Sequence, residues 1–82
     1  MHELLDVIHV KPLPNYELLL EFENGEHKIF DVKPLLDKGV FVALKEESVF
    51  QSVGLENGTV VWPNEIDIAP ETLYVRSVSI KQ

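Results

Sequence analysis

The sequence predicts an α+β fold: a small antiparallel sheet built from two Asn-Gly hairpins and an N-terminal strand, with two or three short helices. Three observations lead there. Asn24-Gly25 and Asn57-Gly58 each separate two apolar, strand-like runs. Asn-Gly in that setting is the strongest short hairpin signal, because a two-residue type I′ turn needs positive φ at both central positions. Between and after the hairpins the apolar spacing shifts toward the helical period. The chain has 82 residues and 45% apolar content, which gives room for one domain, residues 1–82. At this size a chain buries roughly 60% of its unfolded surface, so the core is thin.

Leu4 to Val10 reads as the first strand. Lys11-Pro12-Leu13-Pro14-Asn15 ends it, since the two prolines remove backbone donors. Tyr16 to Glu23 and Glu26 to Asp31 form the first hairpin. With a two-residue turn, Phe22 opposes His27, Leu20 opposes Ile29 and Leu19 opposes Phe30. One face then collects Leu18, Leu20, Phe22 and Ile29, and the other collects Leu19 and Phe30. A sheet covered on one side alternates apolar with polar. This hairpin is apolar on both faces, so Leu19, Phe30 and the nearby Glu21 and Glu23 form a candidate interaction surface.

Asp31 to Asp37 makes a short helical turn, with Asp31 as its N-cap or Asx-turn residue and Lys38-Gly39 as its end. Leu44 to Phe50 is a second short helical piece. Val53 to Glu56 and Thr59 to Trp62 are the arms of the second hairpin. Ala69-Pro70-Glu71 opens the last helix, with proline at the first helical position and an acid where the helix dipole favours one. Asp67, just upstream, is expected to bond the free backbone donors of that helix. Val75 to Ile80 fits a strand by its β-branched residues and a helix by continuity. The expected core is Val7, Leu18, Leu20, Phe22, Ile29, Leu35, Leu44, Phe50, Val61, Trp62, Leu73 and Tyr74.

Composition excludes several functions. There is no cysteine, hence no disulfide, thiolate metal site or cysteine nucleophile. Fourteen acidic residues against seven basic ones give a net charge of −7. Nucleic acid repels such a chain unless it carries a local basic patch, and its lysines and Arg76 are scattered singly. No direct nucleic-acid partner is expected. No apolar run approaches the roughly 20 residues of a membrane span, and Met1-His2-Glu3-Leu4-Leu5-Asp6 lacks the basic start of a signal peptide. No membrane partner is expected, and the expected compartment is the cytoplasm. A small domain without covalent staples often gains stability by association, so a homodimer, a small partner protein, or both are expected.

Catalytic patterns are missing. Ser48, Ser52, Ser77 and Ser79 lie in no nucleophile-elbow or Ser-x-x-Lys context, and the four glycines form no phosphate loop. His9 and His27 can approach across a sheet, with Glu21, Glu23 or Asp31 as a third group. Their spacing resembles no zinc signature, so no metal ligand, cofactor or catalytic residue is assigned, and the protein reads as a non-enzyme. Trp62 beside Pro63 can stack a ligand, but a lone Trp in a small domain more often anchors the core with its N–H bonded at the edge.

With these residues in view, the chain resembles a bacterial family of small uncharacterised proteins, the domain of unknown function numbered 2442. The similarity runs through Tyr16-Glu17-Leu18, Phe22-Glu23-Asn24-Gly25-Glu26, Phe30-Asp31-Val32, Pro34-Leu35-Leu36 and Gly39-Val40-Phe41. It continues through Leu44, Phe50 and Val53 into Trp62-Pro63-Asn64-Glu65-Ile66-Asp67-Ile68-Ala69-Pro70-Glu71-Thr72-Leu73-Tyr74. The last segment is the most specific, and Trp62, Pro63, Asp67, Leu73 and Tyr74 are its expected structural residues. The family commonly has Gly where this chain has Glu65. The resemblance implies a small α+β domain. Some relatives carry a helix-turn-helix domain, for which a chain ending at Gln82 has no room. Related genes often lie beside another small uncharacterised protein, in arrangements like toxin–antitoxin modules. The resemblance identifies no catalytic residue. The expected function is a protein-interaction domain, an antitoxin-like or accessory partner in a two-protein module. The alternative is a small-molecule or metal-binding domain, or a minor enzyme, using the Trp62–Asp67 turn.

Overall fold

The computed structural model describes residues 5–80, and within them the chain is α+β. Its strands are β1 (Val7–Leu13), β2 (Glu17–Phe22), β3 (His27–Asp31), β4 (Gly54–Glu56), β5 (Thr59–Trp62), β6 (Ile66–Asp67) and β7 (Val78–Ser79). Its α-helices are α1 (Glu47–Phe50) and α2 (Pro70–Arg76), joined by 3-10 segments at Lys33–Leu35, Gly39–Lys45 and Pro63–Glu65. The two hairpins do not share one sheet. The first lies in a four-stranded sheet ordered β1-β2-β3-β7, the second in a three-stranded sheet ordered β4-β5-β6. Among the described residues every strand pairing is antiparallel.

β1 differs from its expected bounds. It runs on through Lys11 and Pro12 to Leu13, with a bulge between Val7 and His9. Pro12 pairs with Leu18, which is tolerable because β1 is the edge strand and proline lacks only a donor there. Leu4, the expected first residue of that strand, lies outside the described residues. The turn is Pro14-Asn15-Tyr16, with Asn15 and Tyr16 both at positive φ, 67° and 61°. A bulky residue rarely sits there. Tyr16 is held by its hydroxyl, which donates to Lys45 O at 2.6 Å, and by edge-on packing against Phe50 at 5.2 Å.

The first hairpin takes a different turn from the expected one. Gly25 N donates to Phe22 O (2.8 Å) and Phe22 N to Glu26 O (2.9 Å). Only Gly25 has positive φ, 89°. This is a three-residue loop with a glycine bulge rather than a two-residue type I′ turn. The register therefore moves by one residue: Leu18 faces Phe30, Leu19 faces Ile29, and Glu21 faces His27. A one-residue shift exchanges the two faces of a strand. Phe30, Lys28, Leu18, Leu20 and Phe22 point into the core, whereas Ile29 and Leu19 point outward. The second hairpin does form the two-residue turn, with φ of 55° at Asn57 and 80° at Gly58 and Glu56 opposite Thr59.

The core lies between the inner face of the four-stranded sheet, the second sheet and the helices. It contains Val7, Leu18, Leu20, Phe22, Phe30, Val32, Leu44, Phe50, Val60, Trp62, Ile66, Ile68 and Leu73. Phe30 and Val60 take the places expected for Ile29 and Val61, and Leu35 and Tyr74 pack only partly buried against the cluster. Proline at the first position of α2 is as expected. Asp67 is not: it sits exposed in β6, paired with Val61, and α2 has no side-chain cap. Asp31 does make the Asx-turn, accepting from Lys33 N at 3.0 Å. The ambiguous Val75–Ile80 stretch divides: α2 ends at Arg76, and Val78–Ser79 pair with Ile29 and Lys28.

Candidate functional site

The outer face of the four-stranded sheet is the most distinctive exposed feature. Cross-strand register sorts its side chains into three rows. The middle row runs Lys11, Leu19, Ile29, Val78. On one side stand His9, Glu21 and His27. On the other stand Leu13, Glu17 and Asp31. Leu13, Leu19 and Ile29 are half-buried yet do not pack against the core, and Val78 is 71% exposed. Of the residues expected on this surface, Leu19 and Glu21 are there. Phe30 is not, being only 3% exposed, and Ile29 replaces it because of the register shift. Glu23 lies in the turn, where its carboxylate accepts from Asp6 N at 3.2 Å and its own N–H donates to Asp6 O at 2.8 Å.

The polar rows are internally organised. His9 Nδ1 lies 2.9 Å from Glu21 Oε1, within hydrogen-bond reach, while His27 Nε2 stands 3.7 Å from the same oxygen, beyond it. Among the described residues no three His, Asp or Glu side chains are placed to hold a metal ion together. Lys33 Nζ is 3.0 Å from Asp31 Oδ1 and 3.9 Å from Glu17 Oε2. These exposed pairs hold geometry more than they add stability, since such pairs contribute roughly 0–1 kcal/mol.

The Trp62 segment is structural where it touches the core. Trp62 Nε1 donates to Phe50 O at 2.9 Å, and its ring stacks on Phe50 at 6.2 Å. That anchors the second hairpin to α1 and leaves the indole buried. Asn64 and Glu65 follow at positive φ, 70° and 62°. Beside them a groove of about 460 Å³ is lined by Glu56, Asn57, Asn64, Glu65 and Asp67 among others, without a histidine. A larger hollow, about 630 Å³, lies under the β1–β2 turn, but Glu17 and Lys33 there face each other. Leu73 is buried.

Tyr74 does more than dock α2. Its hydroxyl donates to Glu26 Oε1 at 2.6 Å, an oxygen that also accepts from Asn24 Nδ2 at 2.9 Å. The Tyr74 bond, and then the Asn24 bond, hold Glu26 below its ordinary pKa; the same carboxylate raises that of Tyr74. Lys28, 8% exposed, lies 3.8 Å over the Tyr74 ring and donates to Tyr74 O at 2.7 Å. Sequence reading missed this latch. Lys28 shares the period-two phase of Phe30 and Val32, the one signal that could have marked it as inward-facing.

Charge is divided unequally. Residues 46–75 contain Glu46, Glu47, Glu56, Glu65, Asp67 and Glu71 but no Lys, Arg or His, so this stretch carries six negative charges of a net −7. All six side chains are exposed. The rest of the chain is nearly balanced, with eight acidic and seven basic residues. Among the described residues no helix is long and apolar enough to cross a membrane.

No curated protein and no solved structure matches this chain. A family profile does, over residues 7–79, from β1 through the Trp62–Tyr74 segment to β7. By that match the chain belongs to the family described as "Protein of unknown function (DUF2442)".

Proposed function

We propose that this chain is a non-enzymatic, cytoplasmic protein-interaction domain, the antitoxin-like or accessory partner in a two-protein module. The observation that carries this reading is the uncovered outer face of the four-stranded sheet. Core packing uses only its inner face, leaving Leu19, Ile29 and Val78 beside one another outside the core cluster. Apolar side chains grouped on a surface and rimmed by polar ones favour a docking role over a solvated one. The acidic stretch 46–75 supports a basic partner, since complementary charge speeds encounter. The test is to tag the protein in its native cells and identify stoichiometric co-purifying proteins. Leu19→Asp and charge reversal at Glu21 should each release the partner while circular dichroism shows the fold intact. Retention by both variants rules the reading out.

A second reading is a small molecule or cation held in the groove beside the Trp62–Asp67 turn. It is supported by Glu56, Glu65 and Asp67, which line that groove without an ion-pair partner among the described residues. A bound ligand raises the melting temperature by mass action, and Asp67→Asn should abolish that rise. A flat response to a broad ligand and metal panel excludes it.

A further inference from the structure

We propose that the outer face of the four-stranded sheet takes a second copy of this chain, docked about a two-fold axis that runs along the strands between β2 and β3. This rests on reading that face as an interface, and it names the occupant. Sheets that pack face to face keep their strands nearly aligned. An axis in that position lays β2 of one copy over β3 of the other, row upon row. Leu19 then meets the partner's Ile29, and Ile29 the partner's Leu19, closing an apolar centre. Lys11 of β1 meets the row position of the partner's Val78, which its aliphatic stem can cover.

The Glu21–His27 row complements itself under the same axis. Glu21 meets the partner's His27, and His27 the partner's Glu21, giving two symmetric pairs. Each group has capacity for this. The His27 imidazole makes no hydrogen bond among the described residues: Nε2 stands 3.7 Å from Glu21 Oε1, while His9 Nδ1 holds that oxygen at 2.9 Å. A carboxylate carries about four acceptor sites, and His9 is the one hydrogen-bond partner of the Glu21 carboxylate among the described residues. In the third row Glu17 meets the partner's Asp31. Each copy brings its own cation there, Lys33, 3.0 Å from Asp31 and 3.9 Å from Glu17.

The face is small. With strands about 4.8 Å apart and about 3.4 Å of rise per residue, it offers roughly 300 Å² per copy. A standard stable complex uses roughly 800 Å² per partner. The dimer is therefore weak, and its expected dissociation constant is on the order of 100 μM to 1 mM.

The test is sedimentation equilibrium of the whole chain from about 10 μM to about 2 mM, a range spanning that constant. The mass should rise from the 9.4 kDa monomer toward twice that value. Glu21→Lys and His27→Glu, both at solvent-facing positions, should each hold the chain monomeric. The double variant, which swaps the pair, should restore the dimer. Restoration supports the proposal, and singles that stay dimeric or a double that stays monomeric overturn it. A wild-type chain that is monomeric throughout also overturns it. If Leu19→Asp or Glu21→Lys still releases a co-purified protein, the face remains an interface for that protein alone. If neither does, the interaction reading fails as well.

Discussion

Asn24-Gly25 and Asn57-Gly58 are the same dipeptide between apolar arms, yet the first closes a three-residue turn and the second a two-residue one. The second hairpin follows its local signal. Its β4 arm has only three residues, both turn residues adopt positive φ, and Gly58 O is used to receive Val7 N at 2.9 Å. The first hairpin has longer arms and more at stake. In the two-residue register Phe30 would face outward and Ile29 inward. The observed register buries Phe30 with Leu18, Leu20 and Phe22, and burying one Phe side chain contributes about 1.5–3 kcal/mol. The wider turn also asks positive φ of Gly25 alone and spares Asn24 that conformation. Asp6 on one side and Tyr74 on the other bond Glu23 and Glu26, holding the wider turn in place. A turn dipeptide sets the hairpin when little else bears on it, and yields when a large side chain is at issue.

The sharpest way to break this comparison is to truncate the two residues that the register exchanges. Phe30→Ala should cost about 3–5 kcal/mol by urea unfolding, as buried Phe truncations do. Ile29→Ala, on the outer face, should cost about 1 kcal/mol or less. The reverse order would mean that the two-residue register is the true one.

Alanine at the two turn glycines comes next. Both occupy left-handed backbone, where an L side chain costs about 1–2 kcal/mol. At Gly25 an added Cβ meets open space, whereas at Gly58 it runs into the Asp6 carboxylate. Gly58→Ala should therefore destabilise more than Gly25→Ala, and adding Asp6→Ala should bring the two closer. Equal losses with Asp6 present would argue against the contact between the β4–β5 turn and the start of β1.

Only the first turn should respond to acid through its own latch. Glu26 has a folded pKa below its unfolded value, chiefly because Tyr74 donates to it. The stabilisation is present above the ordinary glutamate value of 4.5 and is lost as pH falls through the lower folded pKa. Tyr74 is raised above 10.0, so its share is present below that pH and lost as pH rises through the folded value. Melting temperatures from pH 7 to pH 3 should fall less steeply in Glu26→Gln than in the wild type. Parallel curves would show that the latch contributes nothing to the pH response. The smallest effect belongs to Glu65, at φ of 62°. Glu65→Gly relieves that conformation, offset by the backbone entropy of glycine, and should stabilise by up to about 1 kcal/mol. A loss of stability would place another interaction on the Glu65 side chain.

Several features were legible from neighbouring residues alone. The Asn57-Gly58 turn, the proline start of α2, the Asx-turn at Asp31, the buried Trp62 and the family motif each depend on dihedral preferences, caps or apolar spacing within a few positions. Two outer-face residues, Leu19 and Glu21, followed from β2 alone, because alternation along one strand needs no partner. Phe30 did not, because its face depends on how β3 is registered against β2. The same holds for Pro12 in an edge strand, for Lys28 under Tyr74, for β7 closing onto β3, and for the division of the hairpins between two sheets. The sequence by itself determined the class of each element and most of its φ/ψ requirements, since these are settled by adjacent atoms. Only the tertiary structure decided register, sheet membership and the uncovered face, because burial is a competition among residues distant in the chain, and a single Phe can outweigh a turn.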